Sequence, residues 1–507
     1  MTAVLALPVG RGRTGGPGRA LRLSAGRLLR LELRRSAMLW VLPLIAALFW
    51  FDCYRTTMAT LAPVWSYRAM YLENGRPLLD LAPFVTGAAA WTASRDGRLG
   101  TGDQVAATSL PRWAAQLAAW AAGTCWALIA YASCIGALYG MTARQGAVGE
   151  PLWWPVLVNA AGVVAFSAVG FAAGALVRSR FTVPLAGMLA TFLLLGTQYK
   201  ITHSAGYGLV SPMNSQGVPG LASGGLIRFA PDLSIVQIVF LVGLAALALG
   251  VLGLRPTAGG LPLRATAVAV TLAGLAALGT GLGLAGTAQQ LADGNVGIPA
   301  LHSASEDAPT DATPVCTGSS VPICLDPHYR AELPALAAAL DPVLAEVSGL
   351  PGAPVRVTQA TFPGLNPAAS DNVVVAAEAG RPPVLRVTLD LLGWLSPADI
   401  VGEIQPQAAT RVVVGVVGTT DPAQQAVAAA LLTDAGIPLN APPAAGRSAQ
   451  HPGTPALSTT LPAPVPGSPE SAAVRRFAAL SPAARHAWLA ADLGALRAGR
   501  ITLEQLP

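Results

Sequence analysis

Two of the five cysteines, Cys316 and Cys324, lie in the segment PVCTGSSVPICLDP with seven residues between them. Two thiols at this spacing can form a disulfide if they face an oxidising compartment. Closing so short a loop would stabilise a domain by roughly 2.5 kcal/mol in the chain-entropy treatment. In a cytoplasmic loop they would instead be free thiols, so their chemistry depends on where the chain places them.

The common catalytic and metal-binding motifs do not occur in this sequence. Lys200 is the only lysine and lies in TQYKIT, so no Gly-Lys-Ser/Thr loop is available to hold nucleotide phosphates. His-Glu-x-x-His and Gly-x-Ser-x-Gly are also absent, and the five histidines lack metal-ligand spacing. We therefore expect no catalytic residue, no metal and no cofactor in this chain, which is predicted not to be an enzyme.

Composition indicates a lipid environment for much of the chain. The 507 residues are 53% hydrophobic and 11% charged, with a mean hydropathy of +0.52, whereas soluble chains carry about 25% charged residues. A helix needs about 20 apolar residues to cross a bilayer. Seven stretches qualify to differing degrees: Ala37–Phe51, Leu78–Ala93, Trp113–Met141, Leu152–Val177, Phe181–Gln198, Leu233–Leu254 and Ala265–Ala288. The second of these is the weakest candidate, because it is short and contains Asp80 and Pro83.

The distribution of arginine orients these crossings. Residues 1–36 hold eight arginines and one glutamate, so the positive-inside rule places the N-terminus in the cytoplasm. With seven crossings, the cytoplasmic loops carry seven arginines in 32 residues and the external loops carry six Arg or Lys in 68. If the second stretch did not span, the arginine-rich loops would lie outside. We therefore predict a cell-membrane protein whose residues after about 289, including both cysteines, are extracytoplasmic.

The predicted fold is an α-helical polytopic membrane protein of about seven transmembrane helices with a small C-terminal extracytoplasmic α/β domain. Strands are expected at 354–360, 372–377, 384–392 and 411–417, and helices at 327–347, 423–435 and from the N-cap Ser481 to Gly499. The predicted domains are a basic cytoplasmic N-terminus (1–36), a permease-like membrane domain (37–288), the α/β domain (289–439), a Pro/Ala-rich linker (440–470) and a helical tail (471–507).

Few polar side chains fall inside the predicted crossings. They are Asp80, Gln116, Asn159 and Gln237. Intramembrane ionisable residues usually mark ion pathways, and Asp80 near one end is the only ionisable residue among these four. A carrier driven by protons or sodium is therefore disfavoured, and a transporter of this composition would need an external source of energy. Gly170 and Gly174 form a G-x-x-x-G pattern, which is common wherever helices pack closely.

The longest cytoplasmic loop, Ser94–Arg112, has the sequence SRDGRLGTGDQVAATSLPR. This loop resembles the first cytoplasmic loop of permease subunits of type-2 ABC exporters, and the basic helix Leu21–Ser36 resembles their N-terminal elbow helix. Without the resemblance, the helix could lie along the anionic cytoplasmic leaflet, or its arginines could simply be a charge cluster that precedes the first crossing. The loop could likewise be an ordinary connection between two crossings. The matching loop residues are Arg95, Asp96, Gly97 and Arg98, then Gly100, Thr101 and Asp103, and finally Pro111 and Arg112.

The resemblance implies that this loop docks on a separate ATPase subunit, which binds the ATP, and that two permease subunits pair. The other expected partner is the lipid bilayer, and no nucleic acid is expected. The family commonly has six crossings and a cytoplasmic C-terminus, so the seventh crossing and the external domain depart from it. Two alternatives remain: a non-transporting membrane protein whose external domain binds a ligand or partner, and an enzyme or its relic in that domain.

Overall fold

The structure is a computed structural model of the full chain. It describes residues 17–58, 65, 68, 71–72, 75–100, 111–147, 150–177, 179, 181–201, 206–214, 229–255, 261–290, 296–303, 313–330, 332–359, 373–376, 382–387, 397–437, 439, 461 and 463–507. Residues 1–16, the loop segment 101–110 and most of the predicted linker lie outside these ranges.

The first half of the chain forms a helical bundle. Its helices are α1 (Pro17–Arg35), α2 (Met38–Cys53), α3 (Arg76–Ala93), α4 (Arg95–Leu99), α5 (Arg112–Arg144), α6 (Trp154–Leu176), α7 (Thr182–Ile201), α8 (Asp232–Gly253) and α9 (Leu261–Gly286). Leucine, alanine and valine dominate these segments, and the long helices α6 and α8 are nearly uniformly apolar around their circumference. A helix of this kind is buried in a core or in lipid.

Four of these helices, α5, α6, α8 and α9, are long and apolar enough to cross a membrane. Part of α1 (Gly26–Arg35) and α2 meet the criterion together but bend by 55° where they join, which would give five crossings among the described residues. Helix α7 contains a shorter apolar segment, Thr182–Thr197. The architecture fits a polytopic helical membrane protein, and length and composition support four or five crossings.

Helix α3, the counterpart of the weak second stretch, lies inside the bundle and packs against α2, α5, α6 and α7. It lies closest to α6. A Cβ atom on Gly170 would lie 2.3 Å from the carbonyl oxygen of Thr86, and one on Gly174 would lie 2.2 Å from that of Ala90. Glycine is required at both positions because the two backbones touch. The G-x-x-x-G pattern is thus part of the α3–α6 contact.

The segment after α9 caps one end of the bundle. Residues Gln289–Gln290 (β1) and Val296–Gly297 (β2) pair as an antiparallel hairpin. The buried Asp232 at the start of α8 accepts hydrogen bonds through Oδ2 from the Ile298 amide at 2.9 Å and from His302 Nδ1 at 3.2 Å. Residues 296–302 therefore pack with the helices, although the sequence predicts that the α/β domain begins at 289; residues 291–295 lie outside the described residues.

The α/β domain is built on a five-stranded sheet in the order β3-β4-β5-β7-β6. Strands β4, β5 and β7 are parallel neighbours, while β3 and β6 are antiparallel to theirs. The strands are β3 (Val315–Cys316), β4 (Ile323–Leu325), β5 (Arg356–Gln359), β6 (Val373–Ala376) and β7 (Val384–Val387). Cys316 and Cys324 face each other across β3 and β4 and form the predicted disulfide.

Helices cover the sheet and complete its core. They are α10 (Leu333–Val347), α11 (Pro397–Val417), α12 (Pro422–Asp434), α13 (Pro469–Ala478) and α14 (Pro482–Arg497). Ser481 caps α14 by accepting a hydrogen bond from the Ala484 amide, and Gly499 follows the helix end with φ +64°. These two features confirm the predicted boundaries. Leu489, Leu493 and Leu496 of α14 belong to the same hydrophobic core as the sheet, so the tail 471–507 packs into the α/β domain.

The predicted strand at 411–417 is wrong. These residues form the last two turns of α11. Valine favours strands in isolation, but Ala409, Val412, Val413 and Val416 are buried at helical spacing. Burial of this face against the core overrides the local preference of the valines. The strands expected near 356, 373 and 384 are confirmed, and 388–392 lie outside the described residues.

Glu332, which precedes α10, provides a test of the domain core. Its side chain is 2% exposed, and Oε2 has no hydrogen-bond partner among the described residues. Burial raises the pKa of Glu332 above its usual 4.5. The native state therefore binds the proton more tightly than the unfolded state, and its stability decreases as the pH rises from 4.5 through the raised native value.

We expect Glu332→Gln to stabilise the α/β domain at pH 7 and to flatten this pH dependence, because the amide carries no charge to desolvate. The measurement is pulse proteolysis of the full chain in urea between pH 4.5 and pH 8. Glu504→Gln, at an exposed position, is the matched control. A loss of stability at pH 7 in Glu332→Gln, or an equal gain in the control, would contradict the expectation.

Candidate functional site

The junction of α1, α2 and α4 brings the two segments of the family resemblance together. Arg95, the first residue of α4, donates two hydrogen bonds to Glu32 of α1, from Nη2 at 2.8 Å and from Nη1 at 3.1 Å. Glu32 is nearly buried, and a paired fork of this kind is a strong, directional contact. Trp126 Nε1 also donates to the Leu33 carbonyl at 2.8 Å. Helix α1 is thus attached both to the loop and to α5.

Arg98 sits one turn further along α4 and folds back over the end of α3. Its guanidinium carbon lies 3.4 Å from the ring centroid of Trp91. Nη1 donates to Ser94 Oγ at 2.9 Å and Nη2 donates to the Trp91 carbonyl at 3.1 Å. A guanidinium carries five N–H donors, so donors remain for a further anionic group. Among the described residues, Arg98 forms no ion pair with a carboxylate.

The structure locates seven of the nine loop residues. Asp96 and Gly97 lie within α4, and Gly100 follows the helix with φ +66°. Pro111 precedes α5 and Arg112 begins it. Thr101 and Asp103 lie outside the described residues.

An apolar groove opens beside this junction, between α2, α3 and α7. It has a volume of 580 Å³ and is lined only by apolar residues, among them Trp40, Val41, Phe84, Trp91, Pro184 and Met188. We refer to it as the α2/α3/α7 groove. Trp91 links the two features, because one ring both lines the groove and carries the Arg98 guanidinium.

The other predicted polar residues lie apart from this junction and act within the bundle. Asn159 is buried and donates through Nδ2 to the carbonyls of Leu72 at 2.8 Å and Pro155 at 2.9 Å. Asp80 is half-buried and its Oδ2 has no hydrogen-bond partner among the described residues, and Gln116 is half-buried.

Gln237 joins α8 to the segment 209–214. It is buried in α8, and its Nε2 lies within hydrogen-bond distance of the carbonyls of Leu209, Ser211 and Asn214, at 3.1, 2.8 and 2.9 Å. Asn159 thus ties α6 to the segment that precedes α3, and Gln237 ties α8 to residues 209–214, which precede it. No group of three potential metal-ligating side chains occurs in the described part of the chain.

Sequence reasoning missed Glu32, Trp91 and the Asp232–His302 pair. Glu32 is the only acidic residue among the first 36, and that isolation was an available signal. Trp91 gave no signal, since one aromatic residue at a helix end is common at membrane interfaces. The Asp232–His302 contact joins residues 70 positions apart and could not be found without the fold.

The Glu32–Arg95 pair can be tested by a double-mutant cycle. We expect Glu32→Gln and Arg95→Gln each to increase hydrogen exchange in residues 27–35, and the double variant to be little worse than either single one. The expected coupling is about 1 kcal/mol, because Arg95 is partly exposed while Glu32 is not. Arg30→Gln, exposed on the same helix, is the control. Additive effects of the two substitutions would show that the pair contributes nothing.

Comparisons with protein-family models, with curated proteins and with solved structures found no match to this chain. The resemblance to type-2 ABC exporter permeases therefore depends on the loop residues and on helix α1.

Proposed function

We propose that this chain is the permease-like membrane subunit of an ABC-type exporter, which moves an amphipathic substrate outward while a separate ATPase subunit hydrolyses ATP. The observation that supports this best is the Glu32–Arg95 contact. It joins the elbow-like basic helix to the first turn of the loop expected to dock on the ATPase. The 55° bend between Gly26–Arg35 and α2 is the turn that an elbow helix needs at the membrane surface.

Seven crossings are part of this proposal, and the packing of α3 supports them. Leu78, Thr86 and Ala90 of α3 lie against Gly162, Gly170 and Gly174 of α6. The offset of 84 residues is the same at each contact, so the two helices run parallel and side by side. Because α6 is long and apolar enough to cross, α3 would cross in the same direction beside it. The surrounding helices shield its polar residues from lipid.

This arrangement offers a route from the loop to the bundle interior. Helix α4 follows α3 after Ser94 alone, and α3 packs against α2, α5, α6 and α7. A force applied to the loop by an ATPase would therefore act on a helix that packs against four others in the bundle. Pairing with a second permease subunit is what the family resemblance adds, and it remains part of the proposal.

The coupling role is tested by replacing residues 101–110 with a Gly/Ser segment of equal length in a complex with the co-purifying ATPase. We expect ATPase activity to lose its dependence on substrate and on this chain, because the docking surface is removed. The same replacement at residues 216–225, in the predicted external loop, is the control. Normal stimulation by the loop variant would overturn the proposed function.

We also propose that the α/β domain is extracytoplasmic, since an odd number of crossings follows a cytoplasmic N-terminus. The Cys316–Cys324 disulfide is consistent with an oxidising exterior. Protease added to intact cells, or to spheroplasts where a wall bars access, is expected to cleave this domain while leaving the bundle intact. Cleavage that occurs only after the membrane is opened would place the domain inside.

A non-transporting protein is the second candidate, and the separate core of the α/β domain favours it. That core runs from Val321 to Leu506 and has its own helical cover, so it could bind an envelope partner by itself. Deletion of residues 304–507 distinguishes a transport subunit from a non-transporting binding protein. A transport subunit would retain loop-dependent ATPase stimulation, whereas a binding protein would lose all function.

A further inference from the structure

Arginine is concentrated where the elements that line the α2/α3/α7 groove begin or end. Arg34 and Arg35 end α1 just before Ala37 and Trp40, and both are exposed. Arg98 lies on Trp91 at the end of α3. In sequence, Arg178 and Arg180 shortly precede Val183 and Pro184, which begin the lining part of α7. Two described segments, the end of α1 and helix α4, thus supply positive charge next to one apolar groove, while Arg178 and Arg180 lie outside the described residues.

The dimensions of the groove suit one lipid chain. On α3 the lining residues run from Pro83 to Trp91, a rise of about 12 Å at 1.5 Å per residue. One leaflet of the hydrocarbon is about 15 Å thick, half of the 30 Å core. The groove therefore spans most of one leaflet and ends near the level at which headgroups and arginines meet.

Arg98 is the residue best placed to bind a headgroup. Its guanidinium is held by Ser94 and by the Trp91 ring and carbonyl, so little side-chain entropy is lost on binding. The remaining N–H donors can bind a phosphate in the forked geometry that arginine favours.

We propose that the α2/α3/α7 groove is a binding site for one anionic phospholipid, whose acyl chain lies in the groove and whose phosphate is bound by Arg98. Each part of the lipid meets complementary chemistry. The acyl chain displaces no polar contact, because the groove has no polar lining. The phosphate meets a cation that has no carboxylate partner among the described residues. The site depends on the helices lying in a bilayer and not on an ATPase partner, so it goes beyond the proposed function.

The test is native mass spectrometry of the purified full chain in neutral detergent, titrated with phosphatidylglycerol or with phosphatidylcholine of the same acyl chains. We expect one phosphatidylglycerol per chain to bind about tenfold more tightly than phosphatidylcholine. Both lipids offer a phosphate to Arg98, but the quaternary ammonium of phosphatidylcholine repels the guanidinium, and a tenfold ratio is about 1.4 kcal/mol, within the range of one Coulombic interaction near a protein surface. Arg98→Gln is expected to remove this preference. Met188→Trp, which places a larger ring at an exposed position of the groove, is expected to weaken binding of both lipids.

Arg144→Gln is the matched control, because Arg144 is exposed in the last turn of α5, a helix that does not line the groove. Thermal unfolding of each variant confirms that it is folded. Equal binding of the two lipids by the unmodified chain would overturn the proposal; this result is expected if a second copy of the chain covers the groove. Equal losses of the lipid preference in Arg98→Gln and Arg144→Gln would also overturn it. Neither result depends on whether an ATPase partner exists.

Discussion

The backbone contact between α3 and α6 is the constraint on which the rest of the bundle depends. Gly170 and Gly174 leave no room for a Cβ atom against the carbonyls of Thr86 and Ala90. Without an aqueous driving force between helices in lipid, such close packing is a principal source of association. Helix α4 and the Arg95–Glu32 contact follow directly from the end of α3. The position of the loop relative to the membrane is therefore set by two glycines on another helix.

This constraint also explains how a helix with Arg76, Asp80 and two prolines can belong to a membrane bundle. Charges are costly where they face lipid but are tolerated inside a bundle. Helices on four sides of α3 supply that interior. The helices with larger lipid-facing surfaces, such as α9, carry the long apolar sequences instead.

Sequence predicted best what is local. The apolar runs of α5, α6, α8 and α9 and the disulfide needed no knowledge of distant residues, since length or close spacing was sufficient. The segment 411–417 failed because tertiary burial decided between helix and strand for a run of valines. The Glu32–Arg95 pair joins residues 63 positions apart. The groove needs three helices in register, so neither feature has a signature in any single stretch.

The sharing of Trp91 between the groove and Arg98 has a thermodynamic consequence. If a ligand in the groove interacts with Arg98, and if the loop binds a partner through α4, each event changes the environment of the same side chains. Coupling between two binding sites is reciprocal, so a partner that strengthens ligand binding must itself be bound more tightly when the ligand is present. Helix α4 has only five residues and is held by Arg95 on one side and Arg98 on the other. Few internal contacts are available to absorb a movement, so a displacement of the loop has to change at least one of these two contacts. The two arginines are therefore the point at which occupancy of the groove and binding of a partner can influence each other.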